Sequence, residues 1–120
     1  MQTKFYGSVK VLEPETDRIA EALEQFVKDL ATKPEVSAIW LIGSFHRKDF
    51  GPFSDIDLVL ILDSTETPFL DRSLQYLPES FPVSIDLFVY TRQEVSGMRL
   101  SEHPFWTDIE KNHTTLFERQ

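Results

Sequence analysis

Cysteine is absent from the 120 residues, which removes a disulfide scaffold, a thiolate zinc site and a cysteine nucleophile at once. The absence also fits a reducing compartment. Basic residues are scarce, 12 Lys and Arg against 20 Asp and Glu, and the net charge of −8 with a pI near 4.8 repels the phosphates of a long nucleic acid. A general DNA or RNA binder is thereby disfavoured, although a local basic loop could hold one small anion. Long apolar runs are missing too. The longest are five residues, Ala38 to Ile42 and Leu58 to Leu62, against the roughly 20 needed to span a bilayer. With no basic-then-apolar leader, a cytoplasmic protein without membrane contact is expected. What is present is the composition of a packed globule, 41% hydrophobic with ten Phe, in a length that suits one domain over 1–120.

Residues 1–12 are mildly β-prone around Gly7 and read as an extended arm or edge strand. Ile19, Ala22, Leu23, Phe26, Val27 and Leu30 gather on one helical stripe, which predicts a helix over 14–31 with Pro14 tolerated at its start. Lys33-Pro34 ends it. Val36 to Ile42 and Ile56 to Leu62 read as buried strands, separated by a loop, or a short helix opening into a loop, over 44–54. The twenty residues from Asp63 to Pro82 carry Phe69, Leu70, Leu74 and Leu77 at helical spacing, and a crossover of that length suits two parallel neighbours. Val83 to Thr91 is the third strand. Thr91 and Glu94 have the capping-box spacing, so a short helix is expected to about Gly97. A last helix near 104–112, with Phe105, Trp106 and Ile109 inward, precedes a Leu116-Phe117 pair.

The chemistry concentrates in Gly43-Ser44 and, after ten intervening residues, Asp55-Ile56-Asp57. Side chains two apart on a strand share a face, so Asp55 and Asp57 project together. Asp86 opens an apolar run just as Asp57 does; if the two strands are parallel neighbours in that register, three carboxylates point at one spot. Like charges about 4 Å apart repel by about 4 kcal/mol at an effective dielectric near 20, a penalty that hard divalent cations remove. An oxygen-only donor set selects Mg²⁺ or Mn²⁺ over zinc. Gly43 permits close backbone approach and Ser44 offers a hydroxyl and an N–H, the equipment for cradling a phosphate. Two such cations cancel about four of the roughly seven negative charges brought by three carboxylates and a triphosphate. Arg47 and Lys48 are the nearest cations in sequence to offset the rest. His46, His103 and His113 lack zinc-helix spacing and read as surface or packing residues, and no Gly-x-Ser-x-Gly elbow supports Ser44 as a nucleophile.

Gly43-Ser44, Asp55-x-Asp57 and Asp86 within Ile85-Asp86-Leu87 resemble the signature of the minimal nucleotidyltransferases of the DNA polymerase beta superfamily. Arg47 falls where these proteins often carry an Arg, while Lys48 replaces a common Gly. The resemblance implies a mixed sheet of three core strands with helices chiefly on one face. It implies transfer of a nucleoside monophosphate, AMP from ATP above all, to an acceptor hydroxyl with release of pyrophosphate. Asp55 and Asp57 would hold two Mg²⁺ or Mn²⁺ ions and the triphosphate, Asp86 the ion at the acceptor, Gly43 and Ser44 the β and γ phosphates, and Arg47 the leaving pyrophosphate. The resemblance also implies a partner: the family's small members are typically encoded beside a helical HEPN-domain toxin and add AMP to a tyrosine of it, a partner that the acidic surface suits. A non-catalytic module that neutralises its partner by occlusion is the alternative, and self-association is compatible with either.

Overall fold

Pro14 opens the first helix, α1 (Pro14–Ala31), at the position where its missing N–H and fixed φ do no harm. The computed structural model describes residues 3–5, 14–43 and 55–119. The strands are β1 (Thr3–Phe5), β2 (Val36–Ile42), β3 (Ile56–Leu62), β4 (Ile85–Thr91) and β5 (Thr114–Arg119). The remaining helices are α2 (Phe69–Tyr76), α3 (Arg92–Leu100) and α4 (Pro104–Lys111). One mixed sheet runs β1-β5-β2-β3-β4, with β3 and β4 parallel and the other neighbours antiparallel. The expected three strands are therefore four of six or seven residues, with the three-residue β1 added at one edge. The extra long strand is β5, built on the stretch expected only to end in a Leu-aromatic pair. Thr114 and Thr115 are β-branched, and Leu116 and Phe117 are buried beneath α1.

Helices cover both faces, not chiefly one. On the first, Leu23, Phe26, Val27 and Leu30 of α1 pack on Leu58, Leu60 and Leu62 of β3 and on Val89 and Phe117. On the second, Val95 of α3 with Trp106 and Ile109 of α4 pack on Ala38, Ile42, Val59 and Ile61. This explains why β3 is apolar at nearly every position, since a strand buried on both sides loses the polar half of its alternation. Each such side chain, fully buried, contributes about 1.5–3 kcal/mol. Alternation along β2 sends Ile39 and Leu41 to the first core and Ala38 and Ile42 to the second, and the register shift between Val36 and Ala38 adds Val36 to the first.

The crossover from β3 to β4 is held by charge, not by its leucines. Arg72 of α2 is buried and donates to the carbonyls of Thr67 and Val89 and, through both terminal nitrogens, to Glu94 at 2.6 and 3.2 Å. Glu94 also closes the expected capping box with Thr91, so α3 starts where the sequence says, although it continues to Leu100. Its hydrogen bonds from Arg72, against some desolvation, hold its carboxyl below the usual range. Tyr76, the other inward residue of α2, donates to Glu35 and is pushed up to about 12 by burial and then by that carboxylate. The four apolar residues whose spacing marks this helix, Phe69, Leu70, Leu74 and Leu77, are all exposed.

Candidate active site

The site residues sit where β2 ends and β3 and β4 begin. Parallel pairing aligns Asp57 with Asp86, and on the other side of β3 antiparallel pairing aligns Asp57 with Ile42. By strand alternation Asp57 shares a face with Val59 and Ile61, and Asp86 with Phe88 and Tyr90, so both carboxylates belong to the face under α3 and α4. Asp57 is half-buried; Asp55, just before β3, and Asp86 are exposed. The strand spacing puts neighbouring backbones about 4.8 Å apart. Among the described residues no three acids or histidines are gathered to hold a metal.

Gly43 is tied to this site by geometry. Its φ is +78°, a left-handed conformation that side chains rarely adopt, and a Cβ built on it would stand 2.4 Å from Asp57 Oδ2. The sequence suggested that Gly43 makes room for a phosphate; in the structure it makes room for the Asp57 carboxylate. Gly43→Ala is therefore expected to displace that carboxylate and to weaken Mg·ATP binding by about tenfold or more, with about 1–3 kcal/mol lost from stability. Gly97→Ala is the control. Gly97 lies in α3 with nothing within 4 Å of its would-be Cβ, so that change should gain roughly 0.5–1 kcal/mol and leave binding alone. Thermal melts and calorimetry on both variants check the pair; a tolerant Gly43→Ala would detach this glycine from the site. Ser44, Arg47 and Lys48 lie outside the described residues.

Phe88, two residues beyond Asp86 on the same face, packs on Phe105 of α4 at 6.0 Å between ring centroids. Trp106 is buried against Trp40 and Tyr90, and Trp40 also stacks on His113 at 3.9 Å, so that histidine packs as expected. At the far end of the same face a groove of about 430 Å³ is lined by Ser37, Arg92, Ser96 and Arg99 among others. Its cations are committed. Arg92 pairs with Asp63 and donates to Ser37, Arg99 pairs with Glu110, and Arg119, which also lines the groove, donates to the carbonyls of Ala31, Lys33 and Pro34, which leaves the carboxylate end as the better candidate.

The oxygen-only donor set of Asp55, Asp57 and Asp86 fits a hard divalent cation in its chemistry. Asp57 and Asp86 are thus aligned at the mouths of adjacent parallel strands in an α+β domain with a mixed sheet, beside the glycine that follows β2. The family model for the nucleotidyltransferase domain matches residues 22–114, and the chain belongs to that family. Among solved structures, a protein from Sulfolobus solfataricus described as a nucleotidyltransferase aligns with a TM-score of 0.57 at 18% identity, over 84% of this chain and 81% of that one. A chain of a toxin–antitoxin structure solved with AMP-PNP aligns with a TM-score of 0.52 at 18% identity, over 81% and 74%. At these identities the likeness is one of fold. No curated protein matches the chain significantly. Among the described residues no helix is long and apolar enough to cross a membrane.

Proposed function

We propose that this domain is an active nucleotidyltransferase that moves AMP from ATP to a hydroxyl of a protein partner, a HEPN-type toxin in the reading the sequence favours. The observation that carries the proposal is the register pairing Asp57 with Asp86 beside a glycine whose missing Cβ makes room for Asp57. Asp55 and Asp57 would hold Mg²⁺ or Mn²⁺ with the nucleotide, and Asp86 would join them at the acceptor. When bound, the ions supply charge neutralisation of the triphosphate and a lowered pKa at the acceptor. The acceptor oxygen bonds to the α-phosphorus as the bond to the bridging oxygen breaks; pyrophosphate leaves and the acceptor's proton passes to water. In this reading Gly43 and Ser44 position the β and γ phosphates, and Arg47 offsets charge on the leaving group. The toxin–antitoxin neighbour solved with AMP-PNP supports both a nucleotide and a protein partner.

The test is transfer of label. Incubated with the product of the neighbouring reading frame, Mg²⁺ and ATP labelled in the α-phosphate, the domain should pass label to that protein, and γ-label should stay off it. Intact mass should rise by one adenylate per site. Neutralisation of the partner with no mass change would instead favour occlusion by a binding module.

A further inference from the structure

The helix of the β3–β4 crossover, α2, is turned the wrong way round for a helix that merely closes a fold. Its inward positions are Arg72 and Tyr76, while Leu70 is 86% exposed and Leu74 73%; Phe69 at its start, 43% exposed, is partly covered by Tyr90, and Leu77 just after it is 42% exposed. Of the six large hydrophobics exposed among the described residues, four fall in these nine positions. Leu70 and Leu74 stand one turn apart on the same side, the spacing of a helix presented to a groove or to another helix. Clustered apolar exposure of this kind marks an interaction surface, whereas single exposed residues such as Leu100 need no explanation.

Charge selects the occupant. Glu66, Asp71 and Glu79 flank the leucines in sequence and are exposed, and the one Lys or Arg among residues 66–79 is Arg72. Arg72 is buried against Glu94, and Lys33 lies 6.0 Å from the Tyr76 ring, on the inward side of the helix. A second copy of the chain is a poor occupant, since a two-fold contact would bring Asp71 and its neighbours against themselves on molecules that each carry −8. We infer that the outer face of α2, centred on Leu70 and Leu74, docks a protein partner whose apolar contact is ringed by lysine and arginine. The surface stands apart from the carboxylates, so docking does not require transfer.

The probe is the product of the neighbouring reading frame, and this choice rests on the partner reading above. In a binding titration with the full chain, Leu70→Ser/Leu74→Ser should weaken the complex by about tenfold or more. Leu100→Ser, which removes an equally exposed leucine from α3, should change nothing. Asp71→Asn/Glu79→Gln should slow association and flatten its salt dependence. Mg·ATP affinity, measured on the same samples, should be the same in all of them, which separates loss of docking from loss of the nucleotide site. Unchanged affinity in the double-serine variant would overturn the assignment. So would sedimentation showing a self-associated wild type that the same pair of serines dissolves, which would give the face to a second copy. A neighbour product that fails to bind wild type would overturn the docking and partner readings together, and retained Mg·ATP binding would leave the nucleotide reading standing.

Discussion

Calorimetry on the Asp55→Asn/Asp57→Asn variant is expected to show ATP bound no more tightly in Mg²⁺ than in chelator, whereas the wild type should bind much more tightly with the metal. Three acids at one sheet end repel a bare triphosphate, and only a cation between them reverses the sign of that interaction. The loss in Mg·ATP affinity should be about 100-fold or more, because removing even a group that merely orients a metal ligand costs 10–100-fold. Stability is the discriminating second readout. Asp55 is exposed and Asp57 half-buried, and Asn keeps their size, so the melting temperature should stay nearly unchanged or rise as repulsion is relieved. A large drop would make these acids structural. Equal ATP affinity in chelator and in Mg²⁺ for the wild type would remove the metal from the reading altogether.

Asp86→Asn is expected to behave differently. Asp86 lies across the parallel ladder from Asp57, on the edge strand, and is exposed, a position suited to meeting the acceptor more than gripping the triphosphate. Mg·ATP affinity should therefore remain within a few-fold, while transfer of the α-label falls by about 10²–10⁴-fold, the size of effect that managing an acceptor's proton has. Equal loss of binding in this variant and in the Asp55/Asp57 pair would refute that division of labour. Equal transfer would remove Asp86 from the chemistry.

The carboxylate register was legible because two acids each interrupt a run that ought to be buried, and the period of two then fixes their face. The helix over 14–31 and the capping box at Thr91 were legible for the same reason, since both are written within a few consecutive residues. What escaped was decided at a distance. The outward turn of α2 depends on Glu94, 22 residues beyond Arg72, and the local spacing of Phe69, Leu70, Leu74 and Leu77 pointed the other way. The two-sided cover of the sheet did leave a trace in the unbroken run Leu58 to Leu62, which has no polar face to offer solvent. The strand at 114–119 left a weaker one in Thr114-Thr115-Leu116-Phe117, too short beside a preceding helix to be told from its tail.

The insertion of β5 between β1 and β2 carries a consequence for synthesis on the ribosome. β2 is complete at Ile42, but the strand that covers its second edge begins only at Thr114, 72 residues later. At 5–20 residues per second that is an interval of about 4–14 s in which the nascent chain carries a strand rich in Ile, Trp and Leu with one side open. β3 can close the other side early, and α1 can shield one face, yet the remaining edge waits for the last strand to emerge. That interval is when this chain is most exposed to wrong pairing, and when a chaperone has the most to hold.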